Sequence, residues 1–153
     1  MFKGQYLMTQ VSKKLSVREG SFGYLLQVLA RRLDTRMKDE LRGAEIEVKI
    51  FAALMLLAEE DGINQREVGK RLNFPEYFTS RNIDVLVEAG FAERRPDPES
   101  RRSILIYLTD KGRAKATELP PIVQRVNEDA LAELSSSERK QVIGLLQKIA
   151  GII

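Results

Sequence analysis

Between Phe74 and Lys111 a helix pattern opened by proline runs straight into a short strand pair flanked by arginines. Pro75 to Leu86 reads as a helix that stops near Gly90, with Pro75 at the first helical position, where its missing N–H costs nothing. Phe91–Arg95 and Ser103–Leu108 read as two strands around the turn Pro96-Asp97-Pro98-Glu99. Any fold for this chain must place a helix against a two-stranded ribbon.

The flanking segments read as helices. Phe22, Leu25, Leu26, Leu29, Leu33, Met37 and Leu41 recur at spacings of three and four, predicting a helix over about 21–41 that Gly43 ends. Glu45–Glu60 is apolar over most of its surface, as a central core helix would be, and Asp61-Gly62 closes it. Asn64-Gln65-Arg66-Glu67 matches a capping box opening a short helix with Val68 and Leu72. That helix, a tight turn and the helix from Pro75 form a helix-turn-helix. After the ribbon, Thr109 caps a fifth helix, Pro120-Pro121 interrupts it, and Ser135-Ser136-Ser137-Glu138 is a second capping box opening the last helix. Residues 1–17 are polar and unpatterned, a flexible N-terminal segment.

Composition removes whole classes of chemistry. The 153 residues contain no cysteine and no histidine, which excludes disulfides, thiolate redox sensing, Cys/His zinc sites and histidine-based triads. No cofactor and no metal are expected. Glu59, Glu60 and Asp61 cluster at a helix end, a place where consecutive acids are ordinarily a solvated terminus, so the reading is not an enzyme. The longest apolar run, Ile50–Ala58, is far short of the ~20 residues of a membrane span. The N-terminus has no apolar stretch of signal-peptide length, so a cytoplasmic location without membrane partners is expected. Net charge is only +3, but Arg94, Arg95, Arg101 and Arg102 stand against Asp97 and Glu99 within nine residues. Such a ribbon suits a phosphate-lined partner.

On the helix from Pro75, at ~100° per residue, Thr79, Ile83 and Leu86 share a face with Asn82 beside them. Tyr77, Arg81 and Asp84 point the opposite way, with Phe78 and Ser80 on the shoulders. Arg81 can bond guanine O6 and N7 in a bidentate fashion, Tyr77 can donate to a phosphate, and Phe78 can rest either on a thymine methyl or on a neighbouring segment. Asp84 repels phosphate and is expected to orient Arg81 or face away. Arg101 and Arg102 sit at the ribbon's turn, suited to a narrow minor groove. A helix followed by a basic ribbon is how a winged helix-turn-helix touches two grooves of double-stranded DNA. The candidate DNA-binding residues are Tyr77, Phe78, Ser80, Arg81, Arg95, Arg101 and Arg102.

With these residues in view, the chain resembles the multiple antibiotic resistance regulator (MarR) family from about Gly20 onward. The sharpest likeness is Leu86–Arg102, followed by Leu108-Thr109-Asp110-Lys111-Gly112; Gly62–Gly69 resembles the family's lead into its third helix. The resemblance implies a mainly α fold with a small β-hairpin wing: a winged helix-turn-helix lobe (about 45–109) and a helical dimerisation region (about 18–42 and 110–153). It implies a homodimer acting in transcription, usually a repressor relieved by a small-molecule effector. It also implies an arginine matching Arg81 in the major groove and one matching Arg102 in the minor groove. Where the family often has aspartate, this chain has Ser100, which removes a local carboxylate partner for the wing arginines. The alternative is a winged helix that binds protein through Tyr77-Phe78.

Overall fold

The computed structural model describes residues 15–153; most of the expected N-terminal segment, residues 1–14, lies outside them. The chain divides into two compact units, Met1–Arg32 and Leu33–Ile153. Seven helices and three strands occur among the described residues: α1 (Phe22–Gly43), α2 (Val48–Glu59), β1 (Ile63–Asn64), α3 (Gln65–Leu72), α4 (Glu76–Glu88), β2 (Ala92–Asp97), β3 (Ser100–Leu108), α5 (Asp110–Ala116), α6 (Leu119–Ala130) and α7 (Ser136–Ile149). The fold is mainly α with one small antiparallel sheet.

In the first unit, Ser16 and Glu19 exchange hydrogen bonds (Ser16 N–H to Glu19 Oε2, 2.8 Å; Glu19 N–H to Ser16 Oγ, 3.2 Å) ahead of α1. The Arg18 guanidinium lies over the Tyr24 ring at 5.1 Å. Phe22, Leu25, Leu26 and Leu29 are all exposed on the α1 surface.

The core of the second unit is built around α2, whose Ile50, Ala53, Leu54 and Leu57 are buried. Val68 of α3, Ile83 and Leu86 of α4, Ile106 and Leu108 of β3, and Leu119 and Ile122 of α6 complete it. Leu41 is buried in the same cluster and Met37 packs against it, whereas Leu33 is exposed. Helix α2 starts three residues later than the apolar pattern suggests. Glu45 adopts a left-handed φ of 56°, and the turn around it is closed by Ile46 N–H to Leu41 O at 3.1 Å. Lys115 Nζ donates to Ala44 O (2.9 Å) in the same turn.

The sheet has the order β1-β3-β2, with Ile63 opposite Ile106 and Ala92 opposite Leu108. The ribbon is longer than its sequence suggests: β2 continues through Pro96 and Asp97, and only Pro98 and Glu99 turn. Proline is tolerated there because β2 is an edge strand. Arg101 and Arg102 therefore lie within β3 rather than at the turn, in the stretch where pairing jumps from Pro96↔Ile104 to Asp97↔Ser100. Thr109 caps α5 as expected, its Oγ accepting from Gly112 N–H at 3.0 Å, and the Ser135/Glu138 capping box is complete.

Candidate nucleic-acid interface

The two helices of the helix-turn-helix are fixed by local bonds. Asn64 Oδ1 accepts from Glu67 N–H at 2.9 Å, but the reciprocal half of the expected capping box is missing. The Glu67 carboxylate is bonded instead to Arg71 Nε at 2.7 Å, because a guanidinium is a stronger partner than a backbone amide. Asn73, left-handed at φ 53°, ends α3, and Phe74 N–H bonds back to Gly69 O at 2.8 Å. Pro75 is the N-cap of α4 rather than its first residue; its carbonyl accepts from Phe78 N–H, Thr79 N–H and Thr79 Oγ1–H. Thr79 is buried against Gly69, where an added Cβ would stand 2.8 Å from Thr79 Oγ1. Gly69 thus sets how closely α3 and α4 approach.

The two faces of α4 fall as the periodicity implies. Thr79, Asn82, Ile83 and Leu86 are buried, and Asn82 Nδ2 has no hydrogen-bond partner among the described residues. Tyr77 is 70% exposed, and Arg81 and Asp84 are exposed beside it. Ser80 and Phe78 are half-buried, and the Phe78 ring meets Phe74 edge-to-face at 4.9 Å. The arrangement matches the packing alternative for Phe78. Asp84 does not orient Arg81; it pairs with Arg94 of β2 at 2.5 Å. That ion pair ties the outward face of α4 to the wing, so the two adjoin.

The arginines of the wing have different surroundings. Arg94 is held by Asp84, and Arg95 is paired with Glu93 while stacking over the Tyr107 ring at 4.6 Å. Arg101 and Arg102 are exposed, and neither has a carboxylate partner among the described residues, as the presence of Ser100 implies. The turn is nonetheless organised, because Asp97 Oδ1 accepts from Glu99 N–H at 2.9 Å. Arg102 and Ile104 border a groove of about 870 Å³ whose other wall is α3 and the start of α4. Arg101 does not line it.

Several contributors to this surface are invisible in a motif reading. Arg66 and Lys70 of α3 are exposed on the same groove. Their spacing of four on a helix that buries Val68 and Gly69 was the available signal. At the end of α2, Glu59 and Glu60 are exposed, as a solvated terminus would be, while Asp61 is half-buried; Glu60 and Asp61 also make specific bonds. Glu60 bonds Arg71 at 2.6 Å, and Asp61 Oδ2 accepts from both Leu108 N–H (2.9 Å) and Arg113 (2.5 Å). Hydrogen bonds from Arg71 hold the Glu60 and Glu67 carboxyls below their ordinary range, and the same bonds raise Arg71. Among the described residues no group of acids is placed to hold a metal ion, and no helix is long and apolar enough to cross a membrane.

The geometry agrees with relatives of the chain. The MarR family model matches residues 51–103, which run from α2 into the wing. The HTH-type transcriptional regulator BilQ of Clostridium symbiosum is 25% identical over 131 residues, 86% of this chain and 91% of that one. The uncharacterized HTH-type transcriptional regulator YkoM of Bacillus subtilis is 36% identical over 102 residues, 67% of this chain and 66% of that one. Among solved structures, a MarR transcriptional regulator from Methanosarcina mazei superposes with a TM-score of 0.78 at 26% identity, covering 84% of this chain and 93% of that one. Helix-turn-helix, wing and relatives converge: the chain belongs to the MarR family of DNA-binding transcription regulators.

Proposed function

We propose that the protein is a cytoplasmic repressor that binds a pseudo-palindromic operator as a homodimer and is released by a small-molecule effector. The observation that carries the DNA-reading part is the polar face of α4, with Tyr77 and Arg81 exposed, joined through Asp84–Arg94 to a wing whose Arg101 and Arg102 have no carboxylate partner among the described residues. In this reading α4 enters the major groove and Arg81 reads a guanine, while Arg102 reaches the adjacent minor groove. Dimerisation is supported by apolar side chains left exposed on helices: Phe22, Leu25 and Leu29 on α1, and Ile143, Leu145 and Ile149 on α7. Large apolar side chains left exposed together along a helix mark an interaction surface. Two lobes related by a twofold axis would read half-sites about one helical turn apart. Repression follows from occupying a promoter, and an effector that changes lobe spacing shifts the binding-competent population.

The protein-binding alternative is weakened by the structure, since Phe78 is engaged with Phe74 and only Tyr77 of the aromatic pair is freely offered. The test is a titration of wild type, Arg81→Ala and Arg102→Ala against an operator selected from random DNA. Arg81→Ala is expected to relax sequence preference at one position per half-site, and Arg102→Ala to weaken binding across sequences. Wild-type affinity in both variants would remove this mechanism.

A further inference from the structure

The cations of the second unit fall into two populations. Arg71 is held by Glu60 and Glu67, Arg94 by Asp84, Arg95 by Glu93 and Arg113 by Asp61, while Lys111 donates to Ala89 O. Arg66 and Lys70 form no close ion pair among the described residues, although the charge of Lys70 helps to lower the Glu67 carboxyl, and both line the groove that Arg102 borders from the wing side. Helix α3 shows the contrast most sharply. Its Glu67/Arg71 row is neutralised within the helix at 2.7 Å, whereas its Arg66/Lys70 row, one step around, carries two like charges four residues apart. Like charges at that spacing oppose helix formation unless an anion meets them. The remaining lining is largely uncharged and polar, including Gln65, Asn73 and Ser103, with Glu76 as its one carboxylate among the described residues.

We propose that this groove is the bed of one DNA backbone strand, with Arg66 and Lys70 as phosphate-contacting residues that contribute affinity but no sequence preference. The strand that parts the major groove from the neighbouring minor groove must run between α4 and the wing tip. The groove lies between the start of α4 and Arg102. Residues four apart on a helix stand ~6 Å apart along its axis, on the scale of successive phosphates. This assignment rests on the DNA-reading mode proposed above, and it adds residues that neither the recognition helix nor the wing supplies.

The test uses the full chain with Arg66→Gln, Lys70→Gln and the double variant. Binding to the selected operator and to a scrambled duplex of equal length is followed by fluorescence anisotropy from ~50 to ~200 mM KCl. Each lost phosphate contact lowers the slope of log K against log salt by ~0.9, hence ~1.8 for a single variant in a two-lobed dimer. Affinity should fall on both duplexes, the operator-to-scrambled ratio should hold, and Lys70→Arg should restore the slope lost in Lys70→Gln. Unchanged slopes in variants of a protein that still prefers its operator would overturn the groove assignment alone. A collapse of the operator-to-scrambled ratio would also overturn it, by showing that these cations read bases. Failure of the wild type to bind either duplex would sink the DNA-reading mode itself, and the groove assignment with it.

Discussion

Gly112→Ala separates packing from propensity more cleanly than any other substitution in this chain. Gly112 lies in the first turn of α5, and helix propensity alone predicts that alanine there stabilises by up to ~1 kcal/mol. The structure predicts the reverse. A Cβ at Gly112 would stand 1.9 Å from Phe91 O and 2.8 Å from its carbonyl carbon, and both are backbone atoms that cannot swing aside. Relief requires α5 to move off the start of β2. The movement breaks Thr109 N–H to Phe91 O (3.0 Å) and disturbs Thr109, which donates to Gly90 O at 2.6 Å while capping Gly112. One backbone bond at ~1 kcal/mol, one cap at ~1 kcal/mol and overpacking of ~1–3 kcal/mol give a loss of ~2–4 kcal/mol after the propensity gain is subtracted. Equilibrium urea unfolding at one fixed protein concentration measures it, with Gly43→Ala as the control, since nothing among the described residues lies within 4 Å of a Cβ there. A Gly112→Ala protein as stable as wild type would refute the packing argument.

Glu45→Gly should stabilise by ~0.5–1 kcal/mol, because relief of a left-handed φ worth ~1–2 kcal/mol exceeds the entropy cost of glycine; a lowered thermal midpoint would count against this. Asp61→Ala should cost ~2 kcal/mol in urea unfolding, since it strands Leu108 N–H and Arg113, while Asp61→Asn should lose less than half of that by keeping an acceptor. The pH dependence of stability should depend on Arg71. Glu60 and Glu67 are held below their ordinary value of 4.5, so the folded chain binds their protons more weakly than the unfolded chain. Their stabilisation is therefore present above that value and is lost as pH falls through the lowered folded values. The gap in thermal midpoint between wild type and Arg71→Met should shrink from pH 6 to pH 3, and a gap independent of pH would contradict the assignment.

What was legible in the sequence was what depends on local period and local capping. The faces of α4, the Thr109 cap and the Ser135 box follow from residues within four positions of one another, and the structure has them. The late start of α2 was not legible, because nothing about glutamate announces a left-handed residue at Glu45. Strand β1 has two residues, too few to show alternation, and it exists because β3 offers an edge to Ile63. Pro96 and Asp97 have turn chemistry, yet an edge strand accepts them. Ion-pair partners were the least legible. Asp84 meets Arg94 ten residues on and Asp61 meets Arg113 fifty-two residues on, so charge type was readable but destination was not. For the same reason only the folded chain separates Arg95, occupied by Glu93 and Tyr107, from Arg101 and Arg102, which have no carboxylate partner among the described residues.

A crystal structure of the protein on its selected operator addresses the DNA-reading surface most directly. It should show two chains, with each Arg81 guanidinium against base edges of the major groove and each Arg102 inside the flanking minor groove. Density that leaves both arginines in solvent, with the duplex held by some other face, would contradict it.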